Sequence, residues 1–225
     1  MGVFNHLWSL AIEEQYYLVW PLVIWLTTRR QAQWLCVGLI GLALGSRVFF
    51  GIYLGNVVAA EALTLCRCDS LAIGSFLALV TRETNGKTFA VKCAWWIAVP
   101  ASGLLLVVVG VGKGFFYLPV TLLALVCGGL LVWALTATDV LSRWLWQNRL
   151  LIFFGKYSYA LYLFQNFLVP YAQRFWPVEK LTPTVGEWVG PLAHVFISGA
   201  ITVLSAWCSW HLYEKHWLKL KERVT

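Results

Sequence analysis

Charge is the scarcest property of this sequence: 12% of its 225 residues are Asp, Glu, Lys or Arg, about half of what a soluble domain carries. That scarcity argues against a water-soluble globule of this length. Acidic residues are fewer still, 10 against 17 Lys and Arg, for a formal net charge of +7. A basic balance can mark a nucleic-acid binder, but here the basic residues lie between apolar runs, which points to a membrane and not to nucleic acid. No C-x-x-C spacing occurs among Cys36, Cys66, Cys68, Cys93, Cys127 and Cys208, which fall in or beside apolar segments. Neither a metal site nor a disulfide framework is expected. No basic stretch precedes the first apolar run and no Ser or Thr stands at position 6, so the start reads neither as a targeting peptide nor as a myristoylation signal.

What is abundant is apolar and aromatic: 60% hydrophobic residues, with 14 Trp. A helix needs roughly 20 mostly apolar residues to cross the hydrocarbon core with its backbone satisfied internally. Seven stretches qualify: Leu7–Thr28, Trp34–Leu54, Val57–Val80, Cys93–Val111, Phe115–Thr136, Leu150–Ala172 and Pro191–Tyr213. The expected fold is an all-α, polytopic integral membrane bundle of about 7 helices, a single domain over residues 1–225 with the lipid bilayer as its first partner. Trp34, Trp95, Trp96, Trp144, Trp146, Trp188 and Trp217 sit near the proposed boundaries, as an interfacial belt would. Gly41 with Gly45, and Gly110 with Gly114, form small-xxx-small faces suited to helix packing. The longest stretch outside the spans, about 173–190 with Pro177 and Pro183, reads as an outer loop.

Loops one, three and five together with the tail hold twelve Lys and Arg, counting Lys156 at the cytoplasmic boundary of the sixth span; the other three loops hold three, namely Lys113, Arg174 and Lys180. By the positive-inside rule the C-terminus is cytoplasmic and Met1 lies outside. A start on the outside without a basic flank suggests that earlier spans belong to the whole protein.

Six ionisable residues fall inside spans: Glu13, Glu14, Glu61 and Asp69 against Arg47 and Arg67. Each costs roughly 2.5 to 3.5 kcal/mol at the bilayer centre and so needs a partner, a wet cavity or a function. In "HLWSLAIEEQYYLVWPL", His6, Ser9, Glu13 and Tyr16 or Tyr17 share one helical face, with Glu14 on a neighbouring one. That stripe is either a proton-handling or substrate-binding surface, or polar glue between helices. In "LCRCDSLAIG", Arg67 and Asp69 diverge on a helix, leaving Arg67 to reach the first helix's carboxylates or a phosphate. In "GKYSYALYLFQ", Ser158, Tyr162 and Gln165 recur at helical spacing above Lys156. In "SWHLYEKHWLKLK" the basic end reads as a juxtamembrane anchor, with His211 and His216 interfacial.

In this order the four segments resemble the acyltransferase family 3 membrane proteins, which include bacterial O-acetyltransferases of O-antigen and other surface glycans. The first resembles that family's H-x-W-S-L-x-x-E-E-Q-[FY]-Y signature through His6, Trp8, Ser9, Leu10, Glu13, Glu14, Gln15, Tyr16 and Tyr17. The second is similar to R-x-D-x-L-x-x-G through Arg67, Asp69, Leu71 and Gly74. The third resembles G-x-x-S-Y-x-x-Y-L-x-H, and the last S-x-x-x-[FY]-E-[KR]-P through Ser209, Tyr213, Glu214 and Lys215. Gln165 stands where the family has His, and His216 where it has Pro. The family's first helix carries a basic residue followed about ten positions later by a His; nothing upstream of His6 corresponds. Members commonly have ten spans with the N-terminus inside, so three further spans would leave this chain starting outside, in line with the loop charges.

The resemblance implies transfer of an acyl group, acetyl above all, from acyl-CoA to a hydroxyl of a cell-envelope carbohydrate, with no bound cofactor, in the cytoplasmic (inner) membrane. It assigns catalysis to His6, Glu13, Glu14, Arg67 and Asp69, and substrate binding to Ser9, Tyr17, Ser158, Tyr162 and Gln165. Glu13 or Glu14 would orient an imidazole or bind sugar hydroxyls; Arg67 would hold a donor phosphate or pair with those glutamates; Asp69 would fix Arg67 or accept from substrate. Two other readings stay open: a truncated, inactive remnant of such an enzyme, and a proton-coupled transporter or flippase of a polar solute.

Overall fold

A computed structural model describes residues 7–83, 86–111, 118–136, 138, 140–175, 177 and 189–217. The expectations for His6, Lys113, Gly114, Lys180, Pro183, Trp188, Lys219, Lys221 and Arg223 lie outside the described residues. Among the described residues all regular structure is helical. We number the α-helices α1 (Leu7–Leu26), α2 (Arg29–Val48), α3 (Val57–Ala62), α4 (Thr64–Thr81), α5 (Gly86–Val111), α6 (Pro119–Thr136), α7 (Val140–Trp146), α8 (Arg149–Phe175) and α9 (Val189–Ser209). A π-helical turn over Phe49–Tyr53 extends α2, and another over Trp210–Glu214 extends α9.

Helices occupy all seven predicted spans, and among the described residues five segments are long and apolar enough to cross a membrane: Arg29–Tyr53, Val57–Thr81, Cys93–Gly110, Pro119–Thr136 and Val189–Trp217. The chain is a multi-pass membrane protein. The first and sixth predicted spans, α1 and α8, do not reach that measure because polar side chains dilute them: Glu13, Glu14 and Gln15 in α1, and Lys156, Ser158, Gln165 and Asn166 in α8. Large apolar side chains stand on the outer surface, Trp96 and Leu212 among the most exposed, where lipid replaces water as solvent.

The chain divides into two compact units, Leu7–Ser142 and the segment from Arg143 onward. In the first, α2 begins with a capping box: the Thr28 side chain accepts from the Gln31 backbone while Gln31 reaches back to the Thr28 N–H. α2 and α4 pack through small residues, with Cys36, Ala43, Cys66 and Ala72 fully enclosed, which lets the two backbones approach closely. Val80 of α4 and Val132 of α6 form one apolar cluster with Phe76 and Leu77, and Ala101, Val108 and Leu122 join α5 to α6 in another. The expected packing faces are placed differently. A Cβ at Gly41, Gly45 or Gly110 would meet nothing within 4 Å, whereas at Gly129 it would fall 2.4 Å from the Ala98 Cβ and at Gly128 2.9 Å from the Leu77 Cδ1. Close approach occurs on α6, where neighbouring helices press from two sides.

The predicted third span is not continuous. After the π turn, Gly55 adopts φ +61, a conformation that favours glycine. Asn56 then caps α3 by accepting from the Ala59 N–H. α3 stops at Leu63, which is extended (φ −70, ψ 139), and α4 starts at once from Thr64. No Gly or Pro marks positions 62–64; the Leu63 N–H donates to the Ala59 carbonyl and the Leu63 carbonyl accepts from the Cys66 N–H. In the second unit, Tyr157 and Ala160 of α8 pack on Ala206 of α9 and on Trp210.

Candidate active site

α1 reaches α4 through three side chains from the first signature. Gln15 Oε1 accepts from the Thr64 hydroxyl at 2.8 Å, and the Tyr16 hydroxyl donates to Ser75 Oγ at 2.8 Å. The Trp8 ring lies 5.3 Å from the Arg67 guanidinium carbon, a cation–π distance. Arg67 also donates from Nε to the Glu61 carbonyl at 2.8 Å. That carbonyl belongs to the last turn of α3, where helix carbonyls have no partner in their own helix. Arg67 thus caps the broken backbone, and Thr64 ties the start of α4 to α1.

Glu13 and Glu14 are exposed on α1 and bond no other described residue, while Ile12 and Tyr16 turn inward. Ser9 is half-buried, and Tyr17 points outward. Arg67 makes no ion pair with either glutamate among the described residues. Its terminal nitrogens therefore remain available to an anionic group. An apolar cavity of about 360 Å³ opens between α1, α2 and α4, bounded by Gln15, Tyr16, Leu39, Thr64 and Cys68 among others; Glu13, Glu14 and Arg67 do not line it.

Asp69 is placed otherwise than expected. It is completely enclosed, and its partner is Arg47 of α2 instead of Arg67. The Thr121 hydroxyl of α6 donates to the same Asp69 oxygen and accepts from Arg47 Nη1 at 2.8 Å. Two residues apart on a helix, Arg67 and Asp69 point in nearly opposite directions, so one meets α1 while the other enters the α2, α4 and α6 core. Arg47 and Thr121 were not singled out by the signatures. The available signal was a lone arginine in an apolar span.

In the second unit Ser158 donates to the Gly155 carbonyl at 2.9 Å, Tyr162 is half-buried and Gln165 is exposed. The Lys156 ammonium lies 4.5 Å from the Trp210 ring centre and 5.3 Å from that of Tyr157. Ser209 donates to Glu214 at 3.1 Å, bracing the π turn that carries the closing signature. Among the described residues no three His, Cys, Asp or Glu side chains converge as metal ligands would.

A profile of acyltransferase family 3, described as an acyltransferase domain, matches residues 1–211. The chain belongs to this family. Three relatives from Staphylococcus aureus strains COL, MSSA476 and MRSA252, each provisionally named an O-acetyltransferase, are 24% identical to it over 230 residues. The alignments cover 93% of this chain and 35% of each relative, so this acyltransferase-family chain spans about a third of their length. No solved structure matches it.

Proposed function

We propose that this chain carries part or all of a membrane acyltransferase that moves an acetyl or other acyl group from acyl-CoA to a hydroxyl of a cell-envelope carbohydrate. The observation that carries this reading is the coincidence of family signature and exposed chemistry: Glu13 and Glu14 exposed on α1 with no partner among the described residues, and Arg67, set against Trp8 of the same helix, with no described residue bonded to its terminal nitrogens. A structural ion pair would have consumed those charges. In the transfer, the acceptor oxygen bonds the thioester carbonyl carbon, the carbon–sulfur bond breaks, and the hydroxyl proton leaves through a base to the departing thiolate. A carboxylate of Glu13 or Glu14 accepts hydrogen bonds from sugar hydroxyls or orients an imidazole that serves as that base. Arg67 offers the planar, permanently charged donor that suits the phosphates of the acyl donor. The loop charges orient the protein in the cytoplasmic membrane with its C-terminus inside.

The test is acetyl transfer from labelled acetyl-CoA to envelope glycan by membranes containing the full chain. Glu13→Gln and Glu14→Gln keep shape and remove charge. At least one is expected to lower transfer about 100-fold or more at unchanged membrane abundance, the scale of a lost acid–base contribution. Full activity in both would end the catalytic role of this pair. Uptake of a glycan precursor without acetylation would favour the transporter reading.

A further inference from the structure

The geometry points to Arg47 and Thr121 as positioning residues that hold Arg67 toward the site by locking the first turns of α4. Arg47 is 2% exposed, Thr121 5% and Asp69 0%. One guanidinium reaches α4 at two places: Nε donates to the Cys66 carbonyl and Nη2 pairs with Asp69. Its third nitrogen binds Thr121, which itself bonds Asp69, so three helices meet at one charged centre.

The two anchor points, Cys66 and Asp69, flank Arg67. α4 starts only three residues before Arg67, directly after the break at Leu63, and a helix end so placed frays unless it is held. The Arg47 centre fixes both the height and the rotation of this end. With Asp69 turned into the core, position 67 is turned about 200° away from it around the helix axis, to the side where Trp8 and the Glu61 carbonyl receive it. The pair is charge-neutral in itself. It leaves Glu13, Glu14 and Glu61, all exposed, and the half-buried Arg67 as the remaining charged groups of the first and third spans. The second charge of the R-x-D element therefore acts through the fold, without touching substrate.

The kinetic half of this inference rests on the acyl-transfer reading, and the geometric half does not. In membranes containing the full chain, Gln15→Cys with Thr64→Cys is bridged by a short bis-methanethiosulfonate and the linked peptide is quantified by mass spectrometry. In that background Arg47→Met or Asp69→Asn alone lowers the yield at least fivefold. Arg47→Met combined with Asp69→Leu removes both charges together and restores it to within twofold. In the otherwise unaltered chain, each single change lowers kcat at least 100-fold, the double change returns it to within tenfold, and Thr121→Val lowers it about tenfold with rescue by Thr121→Ser. A double variant that cross-links normally yet transfers nothing shows that Asp69 acts on substrate and overturns the inference. So does unchanged cross-linking in the single variants. Loss of cross-linking in the single variants and its return in the double variant, in a chain that transfers no acyl group, sinks the acyl-transfer reading and leaves the positioning role standing.

Discussion

Arg67 shows how much one side chain can be asked to do. Its Nε closes the backbone of α3 and its face covers Trp8, while its terminal nitrogens bond no other described residue. Lysine could keep the charge but neither the planar stacking nor the simultaneous hydrogen bond. Arg67→Lys is therefore expected to raise the KM for acyl-CoA roughly 10- to 100-fold, the scale of one or two charge-assisted hydrogen bonds, and to change kcat less. Steady-state kinetics with varied donor concentration would reveal it, and an unchanged KM would remove the donor-binding role. Glu13 and Glu14 were legible as costly charges from sequence alone. That Asp69 belonged with Arg47 was not legible, because residues 22 apart in sequence meet only once α2 and α4 are packed.

Among the elements, α6 is the one whose sequence is most tightly constrained by its neighbours. Alanine in a helix is favoured over glycine by up to about 1 kcal/mol, so propensity alone predicts that Gly129→Ala stabilises. The added Cβ would stand 2.4 Å from the Ala98 Cβ, an atom fixed to the α5 backbone that cannot swing aside. Overpacking of this kind costs about 1 to 3 kcal/mol, so the clash wins and the variant is destabilised. Gly103→Ala on α5 is the control, since nothing lies within 4 Å of its new Cβ. Thermal unfolding in detergent should show a lower Tm for the first and none for the second; equal Tm values would contradict the close approach. At this scale the apolar runs announced the helices well. The break at Leu63 has no glycine or proline to announce it, since the Arg67 side chain bonds the Glu61 carbonyl and Gln15 holds the Thr64 hydroxyl.

The whole molecule is a set of apolar helices carrying a few expensive charges, and the loop charges predict its sidedness. Twelve basic residues against three is a strong bias, so a cysteine placed after Thr225 should stay protected from an impermeant thiol reagent in intact cells and react after lysis. Labelling in intact cells would reverse the orientation and put Arg29 and Arg30 outside. Sequence by itself determined the class of fold, since about 20 apolar residues in lipid have almost no option but a helix. It also determined the family, since the signatures are written in residue types. Only the tertiary structure decided which charges are spent on holding helices together and which remain for chemistry. Asp69 and Arg67 sit in one motif two residues apart, yet helical rotation sends the first into a neutral pair with Arg47 and leaves the second facing α1.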